Sequence, residues 1–557
     1  MTTAAEPGRG GVGRAAAVIA SGTVVSRLLG FASGVVLGQT LGSVGTGANT
    51  FALANSLPNN IAIIIAAGLF NAIFVPAIVR AGLHDDGGAR FINRLVTLGV
   101  VIFLGIGVLA TLAAPFLVTL YAGLGSTGDS GFSSDDLALA TAFAYWCLPQ
   151  VLFYALYSLL GEVLNARGLY GPFSWAPAIN NVVVIAGLIA FTVLFGSTGT
   201  TAAASEWTPE MIAVLAGSAT LGVAIQAFSL CFFWRRAGLR YRPDFHWRGA
   251  GLGTAGKAAA WTLAMITVTQ LAGIVQTNVA GIAADPDEQN ASIAAMRFAF
   301  LIFMLPHSIV AIPITTAYFT RMSAAARDNK FEDVRSDITA ALLQIGAVIV
   351  FSSIGLMVLA FPFSALFSAP DPADPMAAVA PMAFVLIGFL AGLLPLSVHY
   401  VLRRVFYAME DTRTPFFITV FQAVLFVIGA LVVAQLPTAM IALGLAVVTS
   451  IAAAAQALLA FIIVRRRIGT LDVATIVRRH LTFLGATLPA AAVGLLIVWA
   501  LGGFSGGFAV AGLFGALVTL AAAGVPMVAI YGGILLAVKN PEAMGIAAPM
   551  LRRVRRR

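Results

Sequence analysis

The chain has 557 residues, of which 60% are hydrophobic and 10% charged, with a formal net charge of +9. Soluble globular proteins are about 45–50% apolar and about 25% charged, so a soluble enzyme is excluded, and so is a disordered chain, which needs low hydrophobicity. A mean hydropathy of +0.95 makes the chain a polytopic membrane protein.

A spanning helix needs about 20 mostly apolar residues. In chain order the predicted spans are 14–42, 48–76, 92–122, 136–165, 172–196, 211–234, 255–283, 290–320, 337–368, 376–402, 414–435, 437–464, 482–502 and 511–538. They total about fourteen, all helical. Alternating strand-length segments are lacking, so a barrel is not expected. Residues 1–13 are polar and the first span is too long for a signal core, so no cleaved signal is expected.

Loop charge sets the orientation. Arginines crowd the N-terminus, the even-numbered connections and the tail RRVRRR, whereas the odd-numbered connections hold no Lys or Arg. Those connections carry acids instead, among them Asp129, Glu206, Asp285 and Asp371. The expectation is a membrane protein with both termini in the cytoplasm. Its basic face suits anionic lipid headgroups and needs no nucleic acid.

Leu57-Pro58-Asn59-Asn60 in the second span resembles Leu305-Pro306-His307-Ser308 in the eighth. VLNARGLYGPF (163–173) resembles VFYAMEDTRTPF (405–416) at nearly the same offset. These matches predict a duplicated six-helix unit whose halves share one orientation. The predicted domains are a cytoplasmic tail 1–13, an N-lobe 14–236, an inter-lobe loop 237–254, a C-lobe 255–465, two extra helices within 482–538, and a basic tail 539–557. The two six-helix lobes are expected to surround a central cavity.

Cys147 and Cys231 both lie in apolar stretches and read as small buried hydrophobes, with no disulfide or metal site expected. No GxxxxGK[ST] loop occurs, so neither a nucleotide site nor any other cofactor is expected.

Ionisable residues within a membrane are functional candidates by default. Arg27 in the first span and Arg297 in the eighth are the two basic residues that cannot be placed at the cytoplasmic boundary, and no Asp or Glu occupies the centre of a span. A buried unpaired charge costs several kcal/mol by order of magnitude, which a water-filled cavity reduces and an anionic ligand offsets. Guanidinium forks match phosphate oxygens, so the two arginines are expected to face each other across the cavity and bind a phosphate or pyrophosphate. The bland alternative is that each caps helix carbonyls or snorkels. Gly22, Ser26, Gly30, Gly34, Gly38 and Gly42 form a small-residue stripe on the first helix, read either as static packing or as a gating surface through Gly30, Gly34 and Gly38. Pro58 and Pro306 permit kinks. Asn59, Asn60, Asn180 and Asn181 either line the cavity or join helices. His307 and His399 read as structural.

SRLLGFASG (26–34), LPNN (57–60), GLFNAIFVPAI (68–78), GEVLNARGLYGPFSWAPAINN (161–181) and FYAMEDTRTPF (406–416) resemble motifs of the MviN/MurJ family of lipid II flippases in the MOP exporter superfamily. The resemblance covers most of residues 14–470. It implies fourteen helices around a central cavity, the last two forming a groove for a polyprenyl tail. It implies lipid II, the undecaprenyl-pyrophosphate-linked disaccharide-pentapeptide, as substrate. Transport to the outer leaflet would proceed by alternating access driven by membrane potential, without enzymatic chemistry. Membrane lipids and cell-wall synthesis enzymes are the implied partners, and a monomer is expected. Arg27 matches a cavity arginine of the family. Other family cavity charges fall on the uncharged Ser33, Asn49, Ala62 and Met304, and an eighth-helix arginine aligns at Leu301, one turn from Arg297. Ser33 and Asn49 therefore join Arg27, Arg297, Asn59 and Asn60 as candidate substrate contacts. The alternatives are a flippase for another polyprenyl-linked oligosaccharide, a cation-coupled multidrug antiporter of the same superfamily, and a membrane scaffold for cell-wall synthesis.

Overall fold

The computed structural model describes residues 9–65, 88–123, 131–196, 203–246, 257–284, 289–369 and 374–544. Regular structure among these residues is entirely helical. Among the described residues, thirteen helices are long and apolar enough to cross a membrane, and they fall on thirteen of the predicted spans. The remaining span begins on Thr46–Ile65, and its continuation to 76 lies outside the described residues, as does GLFNAIFVPAI (68–78).

Local chemistry sets the helix ends. Ser133 and Asp136 form a reciprocal capping box at the start of Ser134–Cys147. Thr208 caps Pro209–Ser229, with proline at the first helical position. The first helix, Arg9–Leu41, stops at Gly42, whose φ of 81° glycine adopts without strain. The fourth span is interrupted at Leu148–Pro149 between Ser134–Cys147 and Gln150–Ala166. In the eighth span, Pro306 is followed by one π turn, His307–Ala311, because proline removes a donor from the helical ladder.

The repeated motif appears as a repeated turn. After Gln150–Ala166, Arg167 has φ −93° and ψ 8°, and Gly168 has φ 74°. After Leu393–Ala408, Met409 has φ −92° and ψ 13°, and Glu410 has φ 58°. The hydrogen bonds also correspond. Leu169 N donates to the Leu164 carbonyl and Gly168 N to that of Asn165, while Asp411 N donates to Phe406 and Glu410 N to Tyr407. This is the same C-terminal cap twice, once with glycine and once with a glutamate in the left-handed region.

The chain clusters into two units. The first draws on Met1–Thr40, Asn49–Ser126 and Phe132–Gln270, and the second on Leu41–Ala48, Thr127–Gly131 and Leu271–Arg557. In the first unit, Phe103, Leu159, Val163, Leu230 and Trp234 from the third, fourth and sixth spans form one core. The fifth and sixth spans approach closely, since a Cβ on Gly187 would lie 2.2 Å from Ser218 Cβ. In the second unit, Ser43 is fully buried and hydrogen-bonds Ser368 Oγ at 3.0 Å and the Ala378 carbonyl at 3.2 Å. The last two spans, Val473–Ala500 and Leu513–Ala537, pack on the ninth, Phe331–Val358, through Phe483, Ala490, Met527 and Tyr531. Tyr531 stacks on Phe351 and donates its hydroxyl to the Ala347 carbonyl.

Two expectations need correcting. The thirteenth span begins at Val473, not 482, and so includes Arg478, Arg479 and His480. Asp472 accepts from Thr475 N at 3.0 Å and fixes this start, whereas hydropathy stops at the charged residues. Cys147 is buried as expected, but Cys231 is exposed, and it lies in the 3-10 turn Leu230–Phe233 that follows Pro209–Ser229.

Candidate functional site around Arg27

The small-residue stripe of the first helix is turned towards the fifth span, Tyr170–Phe195. A Cβ on the buried Gly22 would come within 2.7 Å of Trp175 Cδ1. The Ser26 carbonyl accepts from Asn181 Nδ2 at 3.0 Å, and a Cβ on Gly30 would lie 3.5 Å from the same amide nitrogen. Missing side chains allow this close backbone approach. Asn181 therefore joins helices, while Asn180 packs under Gly222.

Arg27 lies beside this stripe and borders a cleft of about 480 Å³ in the first unit. Thr23, Tyr157, Asn165, Tyr170 and Phe173 also line it. Tyr157 stacks on Phe173 with ring centroids 4.9 Å apart and donates its hydroxyl to the Phe173 carbonyl at 2.9 Å. These contacts hold the aromatic wall rigid. Arg27 is exposed, and among the described residues it makes neither an ion pair nor a hydrogen bond. The cleft thus combines a free guanidinium, an amide and two phenols against an aromatic wall. It can take an anionic oxygen cluster attached to an apolar or sugar-bearing body.

Two separated motifs meet here. SRLLGFASG (26–34) supplies Ser26 and Arg27, and GEVLNARGLYGPFSWAPAINN (161–181) supplies Asn165, Tyr170, Phe173 and Asn181. The aromatic lining was not singled out from the sequence, although the second motif's density of Tyr, Phe, Trp and Asn was its signal.

The other candidates do not line this cleft. Ser33 is buried, and Asn49 is buried and has an interaction partner. Asn59 is exposed, while the Asn60 carbonyl accepts from Gln270 Nε2 at 3.1 Å. Gly34 is half-buried, Gly38 is buried, and Pro58 is buried inside an unbroken helix. Arg297 belongs to the second unit, exposed near the start of Ile293–Pro306. It has an interaction partner, so the argument from an unpaired intramembrane charge rests on Arg27. His307 is buried, with Nδ1 3.0 Å from Ser397 Oγ and its ring edge-on to Tyr400.

FYAMEDTRTPF (406–416) has a structural part the sequence did not disclose. Asp411 accepts from Thr414 N at 2.9 Å, from Thr414 Oγ1 at 2.6 Å and from Arg467. Arg467 also donates to Thr414 Oγ1 at 2.7 Å and lies over the Phe406 ring. Phe406, Asp411 and Thr414 of the motif thereby tie the tenth–eleventh connection to Arg467 at the end of the twelfth span.

The lipid II flippase MurJ family matches residues 38–519. A probable lipid II flippase MurJ of Haemophilus influenzae is 26% identical over 406 residues, covering 71% of this chain and 75% of that protein. One of Vibrio cholerae is 27% identical, covering 72% and 73%, and one of Rhizobium meliloti is 24% identical, covering 87% and 86%. A solved lipid II flippase MurJ in an inward closed conformation shares the fold, with a TM-score of 0.69 at 17% identity, covering 94% of this chain and 99% of that one. A multidrug resistance MATE family transporter of the MOP superfamily, inward-facing, superposes with a TM-score of 0.61 at 16% identity over 81% and 96%. The chain is a multi-pass membrane protein and belongs to the lipid II flippase MurJ family.

Proposed function

We propose that this chain flips lipid II from the cytoplasmic to the outer leaflet of the bacterial inner membrane by alternating access, with Arg27 gripping the pyrophosphate. The observation that carries this reading is the Arg27 cleft, a guanidinium with no ion pair or hydrogen bond among the described residues beside a stacked aromatic wall, in a member of this family. The arginine-rich connections and tail support a topology with both termini in the cytoplasm.

The energetics need no ATP. A pyrophosphate diester carries about two negative charges, and moving it outward from an inside-negative compartment is favourable by about 2.3 kcal/mol per charge per 100 mV. The empty carrier keeps Arg27 unneutralised, and the same potential favours its return. Cation coupling of the kind used by drug antiporters requires a carboxylate deep in a span. Among the described residues, Asp136 and Glu210 lie in first helical turns, Glu162 lies one turn from the end of Gln150–Ala166, and Asp337 is bound to Arg321 at 2.8 Å.

Ser33, Asn49, Asn59, Asn60 and Arg297 are proposed as further substrate contacts, and the last two spans as the polyprenyl groove. Gly30, Gly34, Gly38, Pro58 and Pro306 are the proposed gating positions. A monomer suffices for this cycle, and enzymes that polymerise the flipped precursor are natural partners.

Depletion of the protein in its host, followed by measurement of which leaflet holds lipid II, tests the reading. Accumulation on the cytoplasmic face supports it. An unchanged distribution rejects lipid II as substrate.

A further inference from the structure

A second cleft in the first unit, of about 730 Å³, lies where the sixth span ends. One wall is apolar, formed by Val96 and Val100 of the third span and Leu156 and Leu160 of the fourth. The rim is Arg235, Arg240 and Arg242. The Arg27 cleft shares none of these residues.

The chain beyond Trp234 is strapped back onto the third span and so builds the rim. Asn93 Nδ2 donates to the Arg240 carbonyl at 3.2 Å, the Thr97 and Tyr241 hydroxyls meet at 3.1 Å, and Asp244 N donates to Thr97 Oγ1 at 3.1 Å. Asp244 is the strap's one carboxylate, and it is engaged by Arg94 at 3.5 Å and by His246 at 2.9 Å. Arg235, Arg240 and Arg242 consequently have no acidic partner among the described residues. Three uncompensated guanidinium groups next to an apolar wall form a site for an anion that brings its own hydrocarbon.

Two further observations point to a lipid. Trp234 lines the cleft and is only 6% exposed, yet its buried indole N–H has no hydrogen-bond partner. Leaving such a buried donor unsatisfied is destabilising, and an ester or phosphate oxygen satisfies it. The apolar wall also continues out of the cleft. Val96, Val100, Leu104 and Val108 follow one another at helical four-residue spacing, and Leu104 and Val108 are about half exposed. Phe228 and Phe232 repeat the pattern on the sixth span, Phe232 being 82% exposed. An acyl chain fits such a stripe, whereas a free anion makes no use of it.

We propose that this cleft is a binding site for an anionic phospholipid, its phosphate held by Arg235, Arg240 and Arg242 and one acyl chain laid along Val100 and Leu104. Basic pockets between spanning helices take headgroups in this way. The site stands apart from the flipped substrate and does not depend on the function proposed above.

Cys231 lines the cleft and is exposed, while Cys147 is fully buried, so maleimide labelling of the full chain in detergent micelles reads the site directly. Palmitoyl-oleoyl-phosphatidylglycerol is expected to slow Cys231 labelling about tenfold, the ratio that ~1.4 kcal/mol of binding gives. Phosphatidylcholine and inorganic phosphate should leave it nearly unchanged. R235Q/R240Q/R242Q should abolish the protection, and R235K/R240K/R242K should retain most of it. Equal protection by phosphatidylcholine overturns the charge assignment, equal protection by inorganic phosphate overturns the lipid assignment, and undiminished protection in the glutamine variant overturns the site. The comparison between lipids is made on the unaltered chain, so it decides the proposal whether or not a variant folds.

Discussion

Arg467 at the end of the twelfth span is clasped by Asp411 in the turn between the tenth and eleventh. The Arg467 side chain is 40% exposed and that of Asp411 18%, so solvent screening reduces the value of the pair to about 1 kcal/mol. Burial, the largest single influence on Asp411, raises its pKa, but the hydrogen bonds from Thr414 and the guanidinium of Arg467 together outweigh it and hold the carboxyl below its usual range. A carboxyl depressed in the folded state contributes stability above its ordinary value and loses it as pH falls through the lowered one. Asp411→Asn should therefore lower the melting temperature at neutral pH, and its difference from the unaltered chain should close as pH drops below about 4. Thermal melts across pH in detergent check this.

Gly168 and Glu410 occupy the same left-handed position in the two copies of one turn. A side chain there costs about 1 kcal/mol, which glycine avoids. Gly168→Ala should destabilise by about that amount, and Glu410→Gly should stabilise by about 0.5 kcal/mol. Opposite shifts in paired melting curves are the expected result.

The small-residue stripe yields a contrast between two of its glycines. A methyl group at Gly22 collides with the Trp175 ring, whereas one at Gly30 makes ordinary contact with Asn181. Gly22→Ala should cost about 1–3 kcal/mol by overpacking, and Gly30→Ala should be nearly neutral for stability. If the stripe acts only in static packing, Gly30→Ala retains full flipping. If the helix slides during transport, the same variant melts normally but flips slowly.

Much of this architecture was readable in the sequence because spanning helices must satisfy their own backbone in lipid, which forces long apolar segments. Charge alternation across the loops gives an expected orientation. Helix starts set by single polar residues were not readable, since Asp472 extends a helix through Arg478 and Arg479 that hydropathy assigns to a loop. Arg27 stood out as a lone charge in an apolar run. Its aromatic neighbours come from a segment about 130 residues away, and only the fold reveals that Tyr157 and Phe173 face it. Arg297 looked equivalent by composition, but the sequence could not show that it is engaged.

Arg27→Ala should abolish complementation of a depleted strain while leaving expression and melting unchanged, because Arg27 is exposed and bonds to nothing described. Charge-assisted hydrogen bonds of about 1.5–3 kcal/mol correspond to a loss of substrate affinity of about ten- to a hundredfold. Arg27→Lys keeps the charge but loses the paired fork, and partial growth is expected. Titration of lipid II against the purified chain checks the affinities.

The most direct measurement is lipid II flipping in proteoliposomes under an imposed potential, for the unaltered chain and for Arg27→Ala. The account predicts that an inside-negative potential accelerates outward movement and that the alanine variant does not flip at any potential. Flipping that ignores the potential, or that proceeds at the same rate without Arg27, would contradict it.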